Sequence, residues 1–339
     1  MRIKFPYTRE NRYICKLYIN THYQTLTIMK RNTRIMIILA LACLMIPGQV
    51  SAQKRKTQKR AATTTARLVS HPQRDADFLS DYRLQPSGTF NLYDFNNLDY
   101  VMMAAPDFKG YVLKRNMGRK QLTLRQVSCR ENDITDDDEW FERNGLQRAE
   151  ETFPNEPNEE IRPRCRYNTN GYTVVSYGPY YAETSKVVIA DPSLQKVYKA
   201  YDFESFKMPP GVKTPCGIPG IGFVKIEGNI MYVSHDSYSD YYGKIPDEEN
   251  GYLSAIDLRT NEILWTTEKK TCSSDIEIVG NSIICGYGSS FESDYLYVVD
   301  KYSGQRVQKI FLKKAPEHVI AKGNRIYVRT YSYDYVFSF

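Results

Sequence analysis

Histidine is nearly absent from this sequence: there are four in 339 residues, and only His71, His235 and His318 follow residue 52. None stands in the H-E-x-x-H spacing that holds a catalytic zinc, and there is no G-x-S-x-G elbow or phosphate-cradling glycine loop. No C-x-x-C pair occurs, so neither a zinc site nor a thioredoxin-like motif is signalled. A surplus of one charge is missing as well. Residues 1–52 carry eight Lys or Arg and one acid, and removing them leaves 38 basic and 38 acidic residues. The formal net charge of +7 therefore belongs to the leader. Binding to nucleic-acid phosphates needs a concentrated basic surface, so no nucleic-acid partner is expected. Long apolar runs are lacking too. The longest, Ile35 to Ile46, falls short of the ~20 residues that span a bilayer.

That short run has a function of its own. The basic stretch Met29 to Arg34, the apolar core behind it and the small-residue site Val50-Ser51-Ala52 read as a secretory signal peptide over 29–52, cut after Ala52. A lipid anchor at Cys43 would leave too little apolar core before it. Residues 1–28 read as an over-extended N-terminus, with Met29 the true start. Residues 53–75, basic and then Thr- and Ala-rich, read as a flexible linker. The expected location is the periplasm or the exterior of a Gram-negative-type cell, with no transmembrane segment after cleavage, and as a monomer. Cys129, Cys165, Cys216, Cys272 and Cys285 survive cleavage. An odd number leaves at least one thiol unpaired. Cys129 and Cys165 flank an acidic stretch, where a disulfide staple is one expectation and five small buried hydrophobes the other.

From residue 76 onward short apolar runs alternate with tight polar turns, the signal of antiparallel hairpins. The early runs are Gly88 to Tyr93, Tyr100 to Met103, Gly110 to Leu113 and Gln121 to Leu124. Residues 130–164 interrupt them with an acidic, Pro-rich insertion in which Asp136 caps a short helix expected to reach about Arg148. The Asp136 to Glu139 run does not match a calcium-binding EF-hand loop, and no metal is assigned. After Asn170-Gly171 a repeat sets in. Gly-Asn turns begin at Gly228, Gly280 and Gly323, and aspartates precede a second turn at Asp191, Asp257 and Asp300. Gly280 and Gly323 are 43 residues apart, as are Asp257 and Asp300. A period of roughly 40–50 residues with four strands per unit is the signature of a β-propeller. The expected fold is all-β, a β-propeller of about six four-stranded antiparallel blades (five to seven) over residues 76–339. Because the last unit shows only three strands, Gly88 to Tyr93 is expected to close it.

The stretch Gly251 to Trp265, GYLSAIDLRTNEILW, carries a family resemblance. Its order of alanine, apolar residue, Asp, turn, then an apolar strand ending in Trp resembles the blade hairpin of quinoprotein-like (PQQ-repeat) propellers. The enzymes of that family are longer, eight-bladed quinoprotein dehydrogenases with an adjacent-cysteine disulfide. This chain has no Cys-Cys pair, so quinone binding is not carried over and no cofactor is expected. The resemblance is closer to the family's non-catalytic branch of export-side scaffolds, such as the propeller subunit of the outer-membrane barrel-assembly machine.

The loops between second and third strands of successive units are rich in aromatics and hydroxyls. Equivalent loops of four-stranded blades emerge on one face. That face would gather Tyr180, Tyr181, His235, Asp236, Tyr238, Asp240, Tyr241, Tyr242, Tyr287, Phe291, Tyr331 and Tyr333. Tyrosine offers a rigid apolar body with a hydrogen-bonding tip, suited to protein or glycan ligands. The competing reading packs these rings between blades. The expectation is a non-enzymatic binding protein. The alternative is a degenerate hydrolase or lyase using Asp236, Asp240 and Glu292, and a weaker third is a PQQ- or calcium-dependent sensor.

Overall fold

The computed structural model describes residues 67–69, 78–113, 120–133, 136–148, 150–153, 161–179, 184–206, 219–237, 251–288 and 293–339. All of them belong to the compact unit Thr64–Phe339. The signal-peptide segment lies outside the described residues, and no described helix is long and apolar enough to cross a membrane.

In chain order the elements are β1 (Arg67–Val69), β2 (Gly88–Thr89), β3 (Tyr100–Met102), β4 (Tyr111–Leu113), β5 (Arg125–Glu131), the single described α-helix α1 (Asp137–Asn144), and β6 (Glu150–Thr152). The regular part follows. Sheet I is built from β7 (Arg162–Thr169), β8 (Tyr172–Gly178), β9 (Lys186–Ala190) and β10 (Lys196–Asp202). Sheet II has β11 (Pro219–Glu227), β12 (Ile230–Ser237), β13 (Tyr252–Asp257) and β14 (Glu262–Thr266). Sheet III has β15 (Ile276–Val279), β16 (Ser282–Tyr287), β17 (Asp294–Asp300) and β18 (Arg306–Leu312). Sheet IV has β19 (Pro316–Lys322), β20 (Arg325–Thr330), β21 (Tyr333–Ser338) and, from the far end of the sequence, β5. Each has four consecutive antiparallel strands in space, the blade of a propeller-type fold.

The repeated marks of the sequence have a direct physical use here. Gly280 and Gly323 sit at φ of 58° and 59°. A Cβ added at either would meet nothing within 4 Å, so the backbone conformation, not space, requires glycine. The repeated aspartates are turn devices. Asp191 accepts from the backbone N–H groups of Gln195 (2.8 Å) and Lys196 (2.6 Å). Asp257 accepts from that of Arg259 (2.9 Å), and Asp300 from those of Tyr302 (2.8 Å) and Ser303 (3.0 Å). Short carboxylates bonding their own backbone a few residues on are how such turns are held.

Period-2 alternation sends apolar side chains to both faces of each sheet. Val174, Val187, Ile189 and Tyr201 face sheet II, packing with Ile221, Val224, Met231 and Val233. The core between sheets II and III centres on Trp265, Leu253, Ile283 and Val299. The core between sheets III and IV holds Ile284, Leu296, Val298, Val319, Val328 and Phe337. Among the described residues no apolar cluster joins sheets I and IV. Their outward faces are covered by other segments. Phe90 and Phe95 seal sheet I over Val175, Tyr177 and Val188. Trp140 and Phe141 of α1, with Leu146, seal sheet IV over Ile320.

The four-stranded antiparallel blades expected from the repeat are present, four such sheets lying among the described residues. The N-terminal runs extend two of these sheets. β1 and β4 extend sheet II, and β2 and β3 pair with β10 of sheet I. β1 also lies inside the stretch read as a linker. Sheet IV is completed by β5, with Tyr335 opposite Cys129, and not by Gly88 to Tyr93. Phe90 belongs to the seal on sheet I, whereas Leu122 and Leu124, just before β5, pack into the core beside sheet IV and deliver that strand. Cys129 and Cys165, the two ends of the expected staple, stand on different sheets, Cys129 on β5 of sheet IV and Cys165 on β7 of sheet I. The acidic insertion thus leads from sheet IV to sheet I.

Candidate functional site: an aromatic and lysine rim

Of the expected loop face, Tyr180, Tyr181, Tyr238, Asp240, Tyr241, Tyr242 and Phe291 lie outside the described residues. The structure divides the remaining five. His235, two residues before the end of β12, has only 2% of its surface exposed. Its Nε2 lies 2.8 Å from Ser254 Oγ, and its ring stacks on Tyr252 (5.5 Å between centroids) and meets Phe206 edge-on (4.8 Å). Burial pushes its pKa down to about 3, so it is a neutral core residue. Tyr287, at the matching end of β16, is buried between sheets II and III. Gly251 approaches it so closely that a Cβ there would strike the ring. Tyr177, next to last in β8, is buried as well, beneath Phe95 on the outward face of sheet I. The aromatics near the ends of the second strands of sheets I to III are thus packed inside, Tyr177 under the cover of sheet I and Tyr287 between sheets II and III, and His235 and Tyr287 leave the proposed face. Asp236, next in the chain, is half-buried, and burial lifts its carboxyl to about 6.

Tyr331 and Tyr333 do reach the surface, and the structure adds neighbours. Tyr331, in the β20–β21 turn, is 57% exposed. Lys313 Nζ sits 4.3 Å from the ring centroid of Tyr333, and the Lys313 backbone N–H donates to the Tyr335 hydroxyl (2.9 Å). Lys313 follows β18 directly. On that strand Phe311 is 61% exposed and meets Tyr295 edge-on at 6.0 Å. Lys309 Nζ lies 3.7 Å from the centroid of Tyr295. Tyr295 and Phe311 are directly paired, as are Tyr297 and Lys309. The end of β18 therefore carries Phe311, Tyr295 and Lys309, and Lys313 just beyond it reaches Tyr333, two residues from the exposed Tyr331. Ammonium groups over ring faces are worth about 0.5–1 kcal/mol each at exposed sites, enough to fix these lysines beside the rings. The available sequence signal was the alternation Val307, Lys309, Phe311, which sets a phenylalanine on the face that carries a lysine.

A second polar cluster joins α1 to sheets III and IV. Asp136 caps the helix, accepting from the Asp138 N–H at 2.8 Å. Asp137 in the first turn reaches Arg329 Nε (3.0 Å) and His318 Nε2 (3.7 Å). Asp275 lies 3.4 Å from His318 Nδ1 and accepts from the Val319 N–H. Burial opposes a charge on His318, but Asp137 and Asp275 outweigh it and lift the pKa to about 9. Trp140 stacks over this imidazolium at 6.1 Å. The cluster contains no nucleophile, and its charges are spent on one another. The rest of the acidic run is matched by arginines, Glu139 and Asp133 by Arg143, and Asp138 by Arg148. No group of three or more metal-capable side chains gathers among the described residues.

No family model matches the chain, and no curated protein matches it. Among solved structures it is similar to BamB from Moraxella catarrhalis, with a TM-score of 0.30 and 14% identity over 50% of this chain and 56% of that one. It is similar to the WD40 β-propeller domain of Doa1, with a TM-score of 0.31 and 16% identity over 50% of this chain and 47% of that one. The computationally designed Ika8 protein gives a TM-score of 0.29 and 10% identity over 52% of this chain and 58% of that one. The chain thus spans about half the length of each. At these scores the likenesses carry no functional argument, and the propeller-type assignment rests on the four sheets themselves.

Proposed function

We propose that this chain is an exported, non-enzymatic propeller-type binding protein whose partner is an acidic protein segment, held at the rim around the end of β18. The observation that carries the reading is the pairing of two well-exposed aromatics, Phe311 and Tyr331, with lysines stacked on the neighbouring rings Tyr295 and Tyr333. Exposed aromatic clusters mark interaction sites, and here the accompanying charge is positive. The same geometry favours protein over glycan. Sugars stack on open aromatic faces, and Lys309 and Lys313 already occupy faces of Tyr295 and Tyr333. Among the described residues β18 also has a ladder partner on one side only, so an extended acidic segment would find backbone groups to pair with. The enzymatic alternative needs Asp240 and Glu292 beside Asp236, and both lie outside the described residues.

An array of extended peptides of graded acidity, probed with the full chain and with a Phe311→Ala/Tyr331→Ala/Lys309→Ala variant, tests the site. Acidic peptides are expected to bind and to lose at least tenfold in affinity with the variant. Equal binding by both proteins, with both folded, removes the rim from consideration. Export has a separate test. The mature protein purified from its cells should begin at Gln53, and an intact N-terminus would refute the signal peptide.

A further inference from the structure

Two cysteines outside the rim meet in the core between sheets II and III. Cys272 lies in the segment joining β14 to β15, and Cys285 lies on β16. Both are fully enclosed in one apolar cluster. The backbone brings them together. Ile276 pairs with Cys285, and toward Cys272 the Ser273 N–H donates to the Gly286 carbonyl at 2.8 Å. The Gly286 N–H in turn donates to Ser274 Oγ at 2.8 Å. The residue after Cys272 is thus tied to the residue after Cys285. Cys285 Sγ also lies 3.5 Å from the carbonyl of Thr271, immediately before Cys272. Cys272 Sγ in turn lies 3.6 Å from the carbonyl of Ser274. Such cross-strand approaches are what a disulfide spans, with Cα atoms typically ~4.4–6.8 Å apart.

We propose that Cys272 and Cys285 are joined by a disulfide when the chain folds under oxidising conditions. The oxidant is a small-molecule disulfide such as oxidised glutathione. The thiolate of one cysteine attacks a glutathione sulfur, expels one glutathione thiolate and leaves a mixed disulfide. The thiolate of the other attacks the protein sulfur of that bond and expels the second glutathione. Two electrons pass from the cysteines to glutathione disulfide, and the two thiol protons leave with the two glutathiones. The bond must form before the core closes. In the folded protein the neighbouring Cys272 thiol and then burial hold the Cys285 thiol well above its ordinary pKa, and a protonated, enclosed thiol is a poor nucleophile. Cys129 and Cys165, on separate sheets, have no such partner in each other.

The test refolds the reduced full chain in a glutathione redox buffer. Free thiols are then alkylated under denaturing conditions, and the digest is read by mass spectrometry. The expected product is one linked peptide pair joining Cys272 to Cys285, with Cys129 and Cys165 alkylated. The oxidised protein should melt about 5–10 °C above the reduced one, as expected for a loop of roughly 15 residues closed in a protein of this size. A Cys129→Ala variant should keep that difference, and Cys285→Ala should lose it. Recovery of Cys272 and Cys285 both alkylated from folded protein, or linked to other cysteines, overturns the proposal. Peptide mapping needs no variant to fold, and the buffer sets the redox condition, so the result is independent of the cell compartment.

Discussion

The outward faces of sheets I and IV are sealed in opposite ways. On sheet I the seal is apolar: Phe95 stacks on Tyr177 at 4.3 Å, with Phe90 and Leu92 beside them. On sheet IV the seal is a short helix whose apolar pair, Trp140 and Phe141, sits over a buried charge cluster of Asp137, His318, Asp275 and Arg329. An apolar seal is indifferent to pH. An ionic one is conditional, because a buried pair holds only while both partners carry their charge. The first teaches what a repeat unit needs at its end, a cover for a face that no neighbour buries. The second adds a dependence on conditions to the same cover.

The largest expected effects come from cutting each seal. Phe95→Ala and Trp140→Ala should each cost about 3–5 kcal/mol in chemical denaturation, the range for a fully buried aromatic truncated to alanine. A loss below ~1 kcal/mol for Trp140→Ala would mean that α1 is not a cover at all. Next comes pH. The folded pKa of His318, about 9, lies above its unfolded value of about 6.5. Its contribution is therefore fully present below pH ~6.5 and is lost as pH rises through about 9. It is on the order of 2–3 kcal/mol. Denaturation midpoints between pH 6 and 10 should fall for the natural protein and for Phe95→Ala, while His318→Gln should flatten that part of the profile. If the two variants share one slope, the seals do not differ in kind. Smaller still, Asp136→Ala should remove about 1 kcal/mol through the lost helix cap, and should do so at sheet IV alone. The least effect on stability belongs to Phe311→Ala/Tyr331→Ala, expected within ~0.5 kcal/mol because neither ring is buried. A larger loss there would turn the rim into a packing surface.

The regular part of the fold was legible because local chemistry and tertiary pairing agree. The Gly-Asn turns, the aspartate turns and the alternating strands from Tyr172 onward all form where their residues indicate, and Asp136 caps the short helix expected after it. What was not legible depends on distant partners. β7 reads as a charged, Pro-containing stretch. It is a strand because β8 pairs with it and because the carbonyls of Gly178 and Pro179 receive the buried Arg164 guanidinium. β5, RQVSCRE, has too little apolar alternation to announce a strand before its partner is known. The site was legible in part for a related reason. A tyrosine at the end of a strand looks alike whether it faces water or the next sheet. Only the approach of Gly251 to Tyr287 and the ring stack around His235 separate those from Tyr331 and Tyr333. The cluster around His318 joins residues from a helix and two sheets, and no local pattern links Asp137, Asp275, His318 and Arg329.

β5 also gives the chain a timetable. Its ladder partners, Tyr333 to Ser338, lie roughly two hundred residues further on, and closing a loop of that length costs about 4–5 kcal/mol of chain entropy. During synthesis Arg125–Glu131 emerges long before the strand it must pair with, which follows all of sheets I to III in the chain. Sheet IV is therefore the last of the four described sheets able to form. Until it does, the waiting strand is an open template that could pair with the β21 of another molecule. At high concentration, refolding should for that reason yield exchanged dimers in which each chain lends β5 to its neighbour.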